Sequence, residues 1–155
     1  MTKPRPRNGL DDVSKTIVAQ LQEDGRRSYA TIGRAVGLSE AAVRQRVQRL
    51  LDAGVMQIVA VTDPVQVGMG RQAMVGVRVD GPIQPVAAAL AAMPEVDYVV
   101  ITAGSFDILA EVVAEDDDQL LEITSTRIRG LAGVRTTETL VYLKLQKQIY
   151  TWGTH

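Results

Sequence analysis

The sequence predicts an α+β protein: an N-terminal helix-turn-helix domain, a strand linker, and a C-terminal ferredoxin-like domain of order βαββαβ. Three observations carry that prediction. Residues 28–54, SYATIGRAVGLSEAAVRQRVQRLLDAG, read as two short helices with a tight turn between them. From residue 73 onward, period-two and helical apolar patterns follow one another as strand, helix, strand, strand, helix, strand. Charge divides near the same place: residues 1–63 carry ten Lys or Arg against seven Asp or Glu, and the remainder seven against eleven. The expected domains are therefore 1–54 (arm and helix-turn-helix), 55–72 (strand linker and hinge) and 73–155 (ferredoxin-like domain and tail).

The opening MTKPRPRNG is basic and too rich in Pro and Gly for a regular element, so it reads as a solvated arm. No apolar segment follows it, which argues against a secretory signal. A helix begins at Asp11 or Asp12, either of which can cap it, and turns Val13, Ile17, Val18 and Leu21 to one side before stopping near Asp24-Gly25. Ser28 caps the next helix, whose buried side is Ile32, Ala35 and Val36, and Gly37 takes the left-handed position at its end. Ser39 caps the third, with Glu40 near the positive end of the helix dipole. Here Val43, Val47, Leu50 and Leu51 form the buried stripe, while Ala41, Gln45, Gln48 and Arg49 point away and Arg44 and Arg46 flank it. Small residues let a helix approach a surface closely, and Gln and Arg can reach base edges or phosphates. An ordinary antiparallel helix pair with a basic, solvated face fits the same pattern.

The run VMQIVAVTDP predicts a strand ended by Pro64, and VQVGMGR a hinge. Residues 74–80 alternate as a strand with one covered face, and Gly81-Pro82 turns the chain into a helix burying Val86, Leu90 and Met93. Residues 96–103 and 108–114 form a hairpin around Gly104-Ser105-Phe106-Asp107. Asp116, Asp117 and Asp118 open a second helix with Leu120, Leu121, Thr124 and Ile128 inward, ended by Gly130. Residues 134–145 are the longest predicted strand. With both helices on one face, the other would carry Arg78, Tyr98, Val100, Val112, Tyr142 and Leu143, a set that depends on register. A face of that character marks an association surface, which predicts a dimer with sheets packed face to face.

The catalytic inventory is thin. Cysteine is absent and the single histidine is His155, which removes thiolate chemistry, a Cys–His pair and the usual zinc ligands. The chain therefore reads as a non-enzyme with no metal site and no cofactor. Composition, 46% hydrophobic and 23% charged, is that of a globular protein with no apolar run of membrane-spanning length, and a cytoplasmic setting is expected. The turn at Gly104 suits a small ligand: its amides could meet a carboxylate and Asp107 an ammonium, as in a free amino acid. A plain hairpin, with Phe106 in the core and Asp107 bonded to its own turn, explains the residues equally well.

Taken together, LDDVSKTIVAQLQEDGRRSYATIGRAVGLS and GLSEAAVRQRVQRLLDAGVMQ with DPVQVG beyond it resemble the DNA-binding half of the Lrp/AsnC (leucine-responsive, feast/famine) regulators. GSFDILAEV resembles that family's glycine–x–aromatic–Asp turn, and GVRTTETLVYLKLQK its last strand, so the likeness runs from about Leu10 to Gln148. The resemblance implies a sequence-specific DNA-binding transcriptional regulator, dimeric and assembling to octamers, modulated by an amino-acid effector bound between dimers. By position it places Ser39, Glu40, Ala41, Ala42, Arg44, Gln45, Gln48 and Arg49 at double-stranded DNA. It likewise places Gly104, Phe106 and Asp107 at the effector, with Thr137, Glu138 and Thr139 contributed by a neighbouring subunit. Gly33 departs from the alanine more usual there, and a helical glycine costs about 1 kcal/mol, so a frail helix is expected. The tail IYTWGTH lies outside the shared pattern. The competing reading is a ligand-binding adaptor whose helical half contacts protein, not DNA.

Overall fold

The computed structural model describes residues 9–149, which fall into a helical unit, residues 9–60 together with 147–149, and an α+β unit over Val61–Gln146. The predicted arm up to Asn8, the tail from Tyr150 and His155 lie outside the described residues.

The helical unit holds α1 (Asp12–Glu23), α2 (Tyr29–Val36) and α3 (Glu40–Asp52). Each begins on a side-chain cap: Asp11, Ser28 and Ser39 accept from the amides of Ser14, Thr31 and Ala42. Ile17, Leu21, Ile32, Val43 and Val47 form the core, with Val13, Val36, Leu38 and Leu51 packed at its margin. Ala35, expected inside, is exposed. The seam of this two-turn helix runs through Ile32, Gly33 and Val36, and at 100° per residue Ala35 falls on its flank.

Gly33 is buried where α3's approach doubles the chain back. The Leu38 amide donates to the Gly33 carbonyl at 2.9 Å, and a Cβ on Gly33 would lie 2.5 Å from the Leu38 carbonyl oxygen. The turn's close approach is what calls for glycine there. Gly37 takes the left-handed φ of 70° that ends α2, as expected.

Residues 55–63 do not form the predicted strand. Among the described residues no ladder pairs them, and Val55, Ile58, Val59 and Val61 are exposed. β-branched composition fits a pleated surface, but a strand needs a partner edge. Asp63 then caps a single 3-10 turn, Pro64–Val67, closed by Gly68 at φ 94°.

The second unit contains β1 (Arg71–Val79), α4 (Ile83–Ala91), β2 (Val96–Ile101), β3 (Ile108–Ala114), α5 (Asp117–Leu121) and β4 (Val134–Val141). The strands lie antiparallel in the order β2-β3-β1-β4, the expected ferredoxin-like sheet. Ala73, Val75 and Val77 of β1 and Ile108, Ala110, Val112 and Ala114 of β3 face Val86, Leu90, Leu120, Ile123 and Ile128 from the helices.

Four expectations change here. Val112 pairs with Ala73 and is fully buried under the helices, not on the open face. After Leu121 the helix widens into a π turn, Glu122–Ile128; Leu120, Ile123, Thr124 and Ile128 are buried, and Leu121, about 100° round from Leu120, is exposed. Met93 lies past the end of α4 and packs half-buried at the core margin. β4 stops at Val141, shorter than β1, and Leu143 beyond it is 96% exposed. The last ladder contact there is the Tyr142 amide donating to the Gln72 carbonyl.

Candidate DNA-reading and effector sites

α3 buries Val43, Val47 and Leu50 and exposes Ala41, Arg44, Gln45, Gln48 and Arg49 on its other side. The predicted residues are not equivalent. Ser39 is spent as the cap, Ala42 is half-buried, and Glu40 pairs with Arg44 at 2.6 Å. Arg44 also lies over the Tyr29 ring at 5.2 Å, and Gln48 donates to Asp52 at 2.9 Å. That leaves Ala41, Gln45 and Arg49 as an outward row at spacing i, i+4, i+8.

Arg46, which flanked the stripe in sequence, turns the other way. Its Nη1 donates to Asp11 Oδ2 at 2.7 Å and to Ser14 Oγ at 3.1 Å. One carboxylate thereby caps α1 and anchors the middle of α3. The Arg46 guanidinium, with help from Ser14, draws the Asp11 carboxyl down to about 2.

On the sheet, the turn at Gly104 is built by its neighbours. The Asp107 amide donates to the Val77 carbonyl at 2.9 Å, and Asp107 Oδ2 accepts from the Val79 amide at 2.8 Å. The Thr102 hydroxyl donates to the Phe106 carbonyl. The Asp107 carboxylate thus bonds to β1, not to its own turn. Phe106 is also not in the core: its ring lies against Gly76, where a Cβ would come within 2.7 Å of it, on the face away from the helices. A lone glycine inside a strand pattern marks such a close approach. Arg78, two residues on, donates through Nε to the Ser105 carbonyl at 2.8 Å and stacks 4.7 Å from the Phe106 centroid.

The β1–β4 register divides the predicted trio. Glu138 pairs with Gly76 and shares the face of Phe106 and Arg78, whereas Thr137 and Thr139 pair with Val77 and Val75 on the helix side. Sequence reasoning placed Arg78 on this face without assigning it to the site. Lower on the same face, burial and the nearby Glu111 carboxylate push the Tyr142 phenol up to about 12. Among the described residues no three metal-ligating side chains gather, and no helix is long and apolar enough to cross a membrane.

Comparison with known proteins places both units. An AsnC-type helix-turn-helix domain model matches residues 10–51, and a C-terminal dimeric alpha+beta barrel domain model of AsnC-type regulators matches residues 69–155. The chain belongs to the Lrp/AsnC family. This Lrp/AsnC regulator is 34% identical over 146 residues to an HTH-type transcriptional regulator of Pyrococcus furiosus, covering 93% of this chain and 96% of that one. It is 36% identical over 137 residues to one from Mycobacterium tuberculosis, covering 86% and 92%. The leucine response regulatory protein of M. tuberculosis superposes with TM-score 0.81 at 32% identity, covering 90% of this chain and 96% of that chain. A Neisseria meningitidis transcriptional regulator, solved as its L-Met complex, gives 0.79 at 26% identity, covering 90% and 94%. The chain is thus a DNA-binding transcriptional regulator, and its sheet unit is that family's C-terminal domain.

Proposed function

We propose that this regulator reads duplex DNA through the outward row Ala41, Gln45 and Arg49 of α3, and that an amino acid bound near the Gly104 turn modulates its assembly. The observation that carries the reading is the contrast across α3, one side fully buried and the other offering a small residue, an amide and a guanidinium. Arg44 and Gln48 join the contact once DNA competes for their present partners, with Ser39, Glu40 and Ala42 at the helix start nearest the phosphates.

A homodimer forms through the open sheet face, where Tyr98 and Leu140 are exposed large hydrophobics, and dimers assemble further, as octamers. The effector sits at Gly104, Phe106 and Asp107, with Thr137, Glu138 and Thr139 contributed by a neighbouring subunit. The L-Met complex of the Neisseria relative supports an amino acid as the ligand class. An amino acid that prefers one arrangement of dimers shifts the population toward it, and with it the spacing of the reading helices. The protein works in the cytoplasm, without a cofactor and without catalysing a reaction.

The test combines light scattering, gel shifts over a salt series and calorimetry with the twenty amino acids. The reading expects dimers or larger, a steep salt slope from displaced counterions and at least one amino acid that binds. A monomer at micromolar concentration, or duplex binding insensitive to salt, would overturn it.

A further inference from the structure

We infer that Tyr29 and Glu40 make Arg44 a conditional phosphate contact, one that adds to binding only where α3 is already seated on a matching duplex. This rests on the α3 reading above and gives discrimination between duplexes to residues outside the outward row.

α3 carries two exposed rows in unlike states. One, Ala41, Gln45 and Arg49, faces outward. The other lies about 100° round from it and repeats at the same spacing as Glu40, Arg44, Gln48 and Asp52. This second row is closed on itself: Arg44 Nη2 meets Glu40 Oε1 at 2.6 Å, and Gln48 Nε2 donates to Asp52 Oδ1 at 2.9 Å. Tyr29 shows which flank of α3 the closed row occupies. It is the first residue of α2, half-buried and packed against the helical core, and Arg44 stands 5.2 Å from the centroid of its ring. The closed row is therefore the flank beside the start of α2. In a helix-turn-helix the helix before the reading helix crosses the backbone of the duplex, so a cation on this flank meets phosphate and not a base edge.

The ring and the carboxylate hold Arg44 in different ways. The ring fixes the place of the guanidinium and leaves its charge intact. Glu40 cancels that charge, yet the two side chains are 63% and 52% exposed, and an exposed pair of this kind is weak enough to yield to a phosphate brought against it. On an arbitrary sequence α3 is not seated, the pair stays closed, and the Glu40 carboxylate faces the phosphates as a like charge. On a matching sequence Gln45 and Arg49 bring the helix into the groove, a phosphate takes Arg44 from Glu40, and the Tyr29 ring keeps the guanidinium in position. Glu40 thus lowers affinity most where the duplex is wrong, and specificity is that difference.

Gel shifts of the full chain over a salt series test this, on a duplex selected from a random pool and on one of scrambled sequence, with a melting curve for each variant. Glu40→Gln should raise affinity for the scrambled duplex and steepen its salt slope by about 0.9, while affinity for the selected duplex changes by less than about twofold. Arg44→Ala should flatten the slope on the selected duplex by about 0.9. Tyr29→Leu should weaken binding to the selected duplex, Tyr29→Phe should restore it, and the loss should vanish when Arg44 is already alanine. Equal gains on both duplexes in Glu40→Gln, an unaltered slope in Arg44→Ala, or a Tyr29→Leu loss that persists without Arg44 each overturns the proposal and leaves the outward row intact. Parental affinity in both Gln45→Ala and Arg49→Ala overturns the outward row, and this proposal with it. Glu40→Gln alters only an exposed side chain, so its result decides the matter even where the Tyr29→Leu melt shows a lost core.

Discussion

Arg46 and Asp11, thirty-five residues apart in sequence, meet at 2.7 Å and join the middle of α3 to the first turn of α1. The outward row of α3 is therefore positioned from behind by a charge pair as well as by packing. Asp11 titrates at about 2 when folded against 3.8 ordinarily, so the unfolded chain takes up its proton first as pH falls. The pair's contribution is fully present above 3.8 and is lost as pH drops through about 2. Asp11→Asn keeps a helix cap but removes the charge. Its melting temperature should lie below the parent's at pH 5, with the gap closing toward pH 2. A gap that stays constant would show that Arg46 does not act through the charge.

Gly33→Ala opposes two effects. Alanine favours a helix by about 1 kcal/mol, but its Cβ meets the Leu38 carbonyl at 2.5 Å. Backbone does not give way cheaply, and overpacking costs about 1–3 kcal/mol. Melting should show no gain and a net loss, whereas a stabilised variant would mean that the turn relaxes freely.

Gln45→Ala and Arg49→Ala should each weaken binding to a duplex selected from a random pool by about 1–3 kcal/mol. Oligomer size should not change, because both side chains are exposed. Gln45→Ala should leave the salt slope alone, since an amide releases no counterion. Gel shifts at several salt concentrations, paired with sizing chromatography, check both statements. Parental affinity in both variants would place the reading face elsewhere.

At the turn, Asp107→Ala removes the acceptor for the Val79 amide, whereas Asp107→Asn retains an acceptor oxygen. The alanine variant should lose about 1–3 kcal/mol and its amino-acid response together, and the asparagine variant should keep most of both. Thermal melts with and without the effector separate these outcomes.

Gly76→Ala pushes a methyl into the Phe106 ring, which now lies within 2.7 Å of that position. The ring must leave β1 and Arg78 loses its stack, so calorimetric effector affinity should fall while duplex affinity without effector holds. Unchanged effector affinity would remove Phe106 from the site.

Much of this was legible in the chain. Caps at Asp11, Ser28 and Ser39, the terminator Gly37 and the βαββαβ order follow from local rules that the structure obeys. What escaped reading depends on partners distant in sequence. Nothing near Arg46 shows that Asp11 takes it, and nothing near residue 55 shows that the apolar run lacks a ladder. Val112 changed faces because hairpin register cannot be counted through a turn whose bonds the sequence does not show, and Leu121 because it stands about 100° round from buried Leu120, on the flank of the helix. Gly76 did carry a signal, a glycine inside a valine strand, but only the fold names Phe106 as what lies against it.

The unladdered stretch from Val55 to Asp63 has a practical consequence. Exposed backbone without ladder partners gives an endoprotease access, so cleavage is expected between Val55 and Asp63 before the helices or the sheet are cut. If the stretch finds its ladder only against another copy, its digestion rate becomes a clock for time spent alone. Dilution would then quicken cleavage, and the half-life of the intact chain would track how crowded the cell is with its own kind.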